Sequence, residues 1–187
     1  MNLLRGPARV ILKLLGWKLI DLPQRPTKAV VIAYPHTSNW DFPVALLALA
    51  ALGLPARWAG KDTLFRGPLG PLMRALGGIP VNRRERTGFV ERIADEFKAR
   101  PAFMLAIAPE GTRALTPGWK SGFYRIARTA NVPVLAGMID YAQRRVGLVA
   151  CISLSGDEAA DMALLAAHYR DCRGKRPENA SPIRLLS

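Results

Sequence analysis

His36 and Asp41 bracket the run His36-Thr37-Ser38-Asn39-Trp40-Asp41, and His168 is the only other histidine in the chain. Imidazole is the side chain that exchanges a proton near neutral pH, so chemistry that needs such an acceptor turns on His36. A carboxylate bonded to one imidazole nitrogen fixes the tautomer and leaves the other nitrogen free to take a proton from a hydroxyl. Spacing by itself also fits a simpler arrangement, a turn histidine followed by a helix-capping aspartate. A second polar set, Pro109-Glu110-Gly111-Thr112-Arg113, closes another apolar run.

A base needs something to activate. The sequence has no G-x-S-x-G elbow, and Ser38 lies only two residues from His36. It also lacks a Walker loop, a dinucleotide fingerprint and a Cys/His cluster, so no metal site and no bound cofactor are expected. A base without its own nucleophile implies that the substrate supplies the hydroxyl. Cys151 sits in an apolar run and Cys172 in a polar one, with neither metal spacing nor the density of a disulfide scaffold, which fits a reducing cytosol.

The elements that must position these residues are legible from periodicity. Residues 28–34 (KAVVIAY) form a continuous β-branched run that predicts a buried strand ending at Pro35. Asp41 is then placed to cap a nearly apolar helix through residue 54, with Pro43 as its second residue. That helix is too short to cross a hydrocarbon core of about 30 Å. Further strands are expected at 57–60, 79–81, 102–108, 132–139 and 145–154. Further helices are expected at 87–99 and 122–130, with a last one opening at Asp157. Residues 66–78 read as a Gly/Pro-punctuated segment in which Arg66-Gly67-Pro68 makes a rigid turn. Alternating strands and helices predict a single α/β domain, a mixed and mostly parallel sheet flanked by helices. In such sheets ligands bind at the carboxyl ends of strands, where both polar sets fall.

Residues 2–20 show helical spacing, with Leu4, Ile11, Leu12, Leu15 and Leu19 on one face and Arg5, Arg9 and Lys13 on another. Interrupting charges exclude a spanning segment, and no small-residue cleavage site follows. A basic amphipathic helix suits an anchor on anionic lipid; the plainer alternative is a helix that packs its leucines on the domain. The formal charge of +13 over 187 residues calls for an acidic partner: nucleic acid, an anionic membrane, a phosphorylated substrate or an acidic carrier protein. Nucleic acid is disfavoured because neither a helix-turn-helix signature nor an RNP-like strand is present. A catalytically silent membrane-associated protein would share the charge. Trp40, Trp58 and Trp119 fit either the core or an acyl groove at a lipid interface, and His168 falls on a helix face.

The run His36 to Asp41 resembles the H-x4-D motif of the glycerolipid acyltransferases, the lysophosphatidic acid acyltransferase family, and Glu110-Gly111-Thr112-Arg113 resembles that family's E-G-T-R motif. Gly78-Ile79-Pro80-Val81-Asn82-Arg83 is similar to its second block and Val132-Pro133-Val134 to its fourth, while Lys120-Ser121-Gly122 resembles the residues trailing the third. The resemblance spans roughly residues 28–154. Thr37 departs from a common glutamine, Pro80 from an aromatic and Asn82 from an aspartate.

The resemblance implies transfer of a fatty acyl group from acyl-CoA or acyl-acyl-carrier protein, as co-substrate, to the free hydroxyl of a lysophospholipid such as 1-acylglycerol-3-phosphate. Another lysolipid, such as a lyso-ornithine lipid, would use the same base. His36 and Asp41 would be catalytic. Lys61, Arg83, Glu110, Gly111, Thr112 and Arg113 would bind substrate, with arginines chosen for their planar match to phosphate. Glu110 would meet acceptor hydroxyls or brace Arg113, and Gly111 would allow close approach or a positive φ. The implied organisation is a membrane-interface helix and linker at 1–26, an acyltransferase domain at 27–175 and a tail at 176–187. The implied location is peripheral, at the cytoplasmic face of a membrane.

Overall fold

A strand of continuous apolar residues is stable only if both its faces are covered, and KAVVIAY is covered on both. Ala29 and Val31 turn toward a cluster containing Leu52, Trp58 and Phe65, while Val30, Ile32 and Tyr34 turn toward one containing Phe97, Phe123 and Leu165. The computed structural model describes residues 2–81 and 86–186. Its elements in chain order are α1 (Asn2–Leu14), β1 (Lys18–Ile20), β2 (Lys28–Tyr34), α2 (Asp41–Leu52), β3 (Ala56–Lys61), a 3-10 turn (Asp62–Phe65), α3 (Gly70–Ala75), β4 (Gly78–Val81), α4 (Arg86–Ala99), β5 (Phe103–Ile107), α5 (Gly122–Ala130), β6 (Val134–Asp140), β7 (Arg145–Ile152), α6 (Glu158–His168) and a second 3-10 turn (Pro177–Asn179).

The described strands form one seven-stranded sheet in the order β1-β7-β6-β2-β5-β3-β4. Only β6 and β7 pair antiparallel, so the chain is a mixed, mostly parallel α/β domain as the alternating pattern predicts. Helices α4, α5 and α6 supply Phe97, Phe123 and Leu165 to one face; α1, α2 and α3 cover the other.

The register of the parallel strands decides where the polar turns go. Ile32 of β2 is paired with Ile107 of β5, so the turns that follow these strands emerge side by side. Trp58 of β3 is paired with Ala106, and Lys61 with Val81 of β4, which brings the ends of β3 and β4 to the same edge. Four strand ends therefore meet there. Asn82 and Arg83, which continue from β4, lie outside the described residues.

Three elements differ from the sequence reading. Residues 66–78, read as a Gly/Pro-punctuated segment, contain the short helix α3. The N-terminal helix stops at Leu14 rather than continuing to residue 20, because Gly16 adopts a left-handed φ of 76° and turns the chain. Lys18–Ile20 then adds an edge strand parallel to β7. In α2, Asp41 is the first helical residue and Trp40 the cap position, with no side-chain cap bond. The Asp41 carboxylate reaches backward into the preceding turn instead.

Candidate active site

Asp41 is 0% exposed, and its Oδ2 accepts the backbone N–H groups of Thr37 and Ser38, each at 2.7 Å. Those two bonds curl the turn so that His36 Nδ1 lies 3.4 Å from the same oxygen. With Nδ1 facing the carboxylate, Nε2 is the nitrogen left for a substrate proton. Thr37 is buried beneath a crossing segment. Its Oγ1 accepts the N–H of Arg176 at 3.2 Å, and a Cβ on Gly174 would approach that oxygen to 2.6 Å.

The second turn locks onto the first. Glu110 is 0% exposed; its Oε2 accepts the N–H of His36 at 2.5 Å and its Oε1 the N–H of Ser181 at 2.9 Å. Burial raises the Glu110 carboxyl above its ordinary value, partly offset by those N–H donors and by the charge of His36. No hydrogen bond or ion pair joins Glu110 to Arg113 among the described residues. Both its oxygens are used to hold His36 and the chain near Ser181. Tyr34, whose hydroxyl donates to the Ser181 carbonyl at 3.1 Å, is pushed up to about 12 by burial first and then by Glu110.

Gly111 takes a φ of 67°, which is the reason for a glycine here; a Cβ would also come within 2.8 Å of Lys120 Nζ, the movable end of a long side chain. The Thr112 hydroxyl accepts the N–H of Ala114 at 3.4 Å. Arg113 is exposed, and no described residue pairs with its guanidinium.

These turns open on a cavity of about 1110 Å³. One wall is apolar, built by Phe42, Leu46 and Leu49 of α2, Trp58 of β3 and Leu64. His36, Asp41, Gly111, Thr112, Arg113 and Lys61 all line it. Lys120, Arg125 and Arg176 line it as well, leaving Asp41 the one acidic side chain among the described lining residues. Such a space suits an acyl chain joined to an anionic head group.

Several site residues lie beyond the reach of sequence patterns. Ser181 and Arg176 arrive from the far end of the chain, and Arg125 is one of many basic residues on a helix. Tyr141 stands beside the dyad. Its hydroxyl is held well above the ordinary phenol range, by burial first and then by the Asp41 charge. The Tyr141 hydroxyl and Asp41 Oδ1 are both buried, and the Asp41 carboxylate is the group whose charge and hydrogen bonding act on that hydroxyl. Of the tryptophans, Trp119 is core, Trp58 is core with one edge in the cavity, and Trp40 is exposed with Lys175 Nζ 5.1 Å from its ring centre. His168 is an exposed residue at the end of α6 and does not line this cavity. No cluster of His, Cys, Asp or Glu among the described residues is arranged to hold a metal.

The family model described as Acyltransferase matches residues 19–140, a span that includes both turns and the cavity's apolar wall. No curated protein sequence matches the chain significantly. Among solved structures, the fold is similar to the crystal structure of the 1-acyl-sn-glycerophosphate (LPA) acyltransferase PlsC from Thermotoga maritima. The TM-score is 0.58 at 15% identity, over 89% of this chain and 76% of that one.

Proposed function

Since this chain belongs to the acyltransferase family, we propose that it transfers a fatty acyl group from a thioester donor, acyl-CoA or acyl-acyl-carrier protein, to the free hydroxyl of a lysophospholipid such as 1-acylglycerol-3-phosphate. The observation that carries this reading is the His36–Asp41 pair, 3.4 Å apart, in a cavity with an apolar wall and a cationic lining. His36 Nε2 takes the proton as the acceptor hydroxyl oxygen attacks the thioester carbonyl. Asp41 holds the ring and stabilises the imidazolium that forms. As the tetrahedral intermediate collapses, the C–S bond breaks and the imidazolium returns its proton to the leaving thiolate. No acyl-enzyme is needed.

Arg113 and Lys61 are assigned to the acceptor phosphate, with Lys120, Arg125 and Arg176 adding positive potential around it. Gly111 and Thr112 shape the turn from which Arg113 projects. Arg83 is retained as a further phosphate ligand by resemblance alone.

Both substrates are amphiphiles, so the enzyme works as a peripheral protein at the cytoplasmic face of a membrane. Among the described residues no helix is long and apolar enough to cross one. Helix α1 docks on α2 through the buried Ala8 and Leu12, yet leaves Leu3, Leu4, Val10, Ile11 and Leu14 exposed, with Leu15 exposed just beyond its end. It packs on the domain with one stripe and offers lipid the other. The reading is tested by incubating purified protein with an acyl thioester and 1-acylglycerol-3-phosphate, or a lyso-ornithine lipid, and following free thiol and diacyl product by mass. Absence of a diacyl product with every lysolipid and both donors contradicts it.

A further inference from the structure

Helix α3 has the reverse of the arrangement expected for a short surface helix. Leu69, Leu72 and Leu76 recur at intervals of three and four and therefore share one face. That face points outward: Leu69 is 62% and Leu72 51% exposed. Met73 instead packs inward against the cluster of Trp58 and Phe65. Leu64, in the preceding 3-10 turn, is also exposed and lines the reaction cavity beside Thr63 and Lys61. The 3-10 turn that carries Leu64 to the cavity rim is followed within five residues by the turn into α3, so the exposed leucines lie on neighbouring elements. An apolar patch of this kind marks an interaction site rather than scattered surface leucines.

Its surroundings specify the partner. Arg66 and Arg74 flank the leucines, and Asp62, paired with Arg66, is the acidic neighbour. Arg74 lies over the Phe65 ring at 5.4 Å and bonds the Phe65 carbonyl, which holds its charge at the edge of the patch. The patch belongs to the same face of the sheet as α1 and α2. Leucines flanked by Arg66 and Arg74, on a chain of net charge +13, match the interface of an anionic bilayer.

We propose that the Leu64–Leu69–Leu72–Leu76 surface is a second lipid-docking site, which seats the mouth of the reaction cavity on an anionic bilayer so that a lysolipid can slide from the leaflet past Leu64 without passing through water. This rests on the acyltransferase reading only for the identity of what slides in; the docking itself does not. Helix α1 alone would tether the protein. The α3 patch sets which way the cavity faces.

Vesicles of phosphatidylcholine and phosphatidylglycerol, with no acceptor or donor present, provide the test. The double variant Leu69→Asp with Leu72→Asp should bind them at least tenfold more weakly than the wild type. Leu164→Asp, an exposed position on α6 across the sheet, should bind as the wild type does. Leu69→Ala with Leu72→Ala, which keeps the patch uncharged, should show a smaller loss and carries the test if the aspartate variant does not fold. Wild-type affinity in the aspartate variant, or an equal loss in Leu164→Asp, overturns the proposal. So does weaker binding to acyl-carrier protein with vesicle binding intact, which would assign the patch to the carrier. A protein that docks through α3 but transfers no acyl group would leave docking standing and overturn the acyltransferase reading instead.

Discussion

Glu110 and His36 are joined through the backbone: the carboxylate of the second turn accepts the N–H of the histidine in the first at 2.5 Å. One end of the dyad is therefore set by Asp41 and the other by Glu110. Since Glu110 also holds Ser181, the proposed base is anchored to three separate parts of the chain. Replacing Glu110 with Gln leaves one of two N–H donors facing an NH2 group. The expected cost is about 1–3 kcal/mol of stability together with a fall in kcat larger than any rise in KM, checked by urea unfolding and steady-state kinetics.

The same residue gives a pH signature. Its folded pKa is raised from 4.5, so from that value upward the folded state binds more protons than the unfolded state. Glu110's share of stability therefore falls as pH rises through this window. The unfolding free energy of the wild type minus that of Glu110→Gln should shrink from pH 4.5 toward neutrality. A difference that grows would mean the carboxyl is not raised.

Asp41→Ala should remove most transfer and also destabilise, because the buried N–H of Thr37 and the half-buried N–H of Ser38 lose their acceptor. Tyr141→Phe should act more gently. It removes a buried hydroxyl next to the Asp41 carboxylate, so kcat should fall less than in Asp41→Ala while KM for the donor stays constant. An unchanged kcat in Tyr141→Phe would separate that hydroxyl from the dyad. His168→Ala, remote on α6, should leave turnover nearly intact.

For the head group, Arg113→Ala should lower kcat/KM for a phosphorylated acceptor on the order of 10- to 100-fold. Arg113→Lys should recover part of that loss, since an ammonium keeps the charge and loses the fork. Kinetics that do not change with a phosphorylated acceptor would move the phosphate site elsewhere in the cavity.

Deleting α1 would conflate two effects, because losing a fully buried leucine such as Leu12 costs about 2–5 kcal/mol by itself. Lys13→Glu with Leu14→Asp changes only exposed positions. It should release the protein from anionic vesicles and lower activity on bilayer substrate more than on micelles. Wild-type binding should weaken with salt as the Debye length shortens from about 8 Å at physiological ionic strength.

The sheet and the two motif turns were legible because buried parallel strands write themselves as unbroken apolar runs, and KAVVIAY and its end at Pro35 are one. The end of α1 was not, because Leu19 continues the helical spacing while Gly16 and strand pairing override it. Glu110's role was hidden for a different reason. Its partners are backbone groups of His36 and of Ser181, distant in sequence, and backbone N–H groups leave no trace in residue type. The outward stripe of α3 is present in the sequence as Leu69, Leu72 and Leu76, but the flanking glycines and prolines make residues 66–78 read as a punctuated segment rather than a helix.

The most direct test is the lipid extract of cells making the wild type, compared by mass with that of cells making His36→Ala at equal soluble, folded protein. The wild type should yield a two-acyl lipid from its one-acyl precursor, and His36→Ala should lose that product, with the purified variant slower by roughly 10²- to 10⁴-fold. Undiminished two-acyl product from a folded His36→Ala protein would contradict His36 as the base.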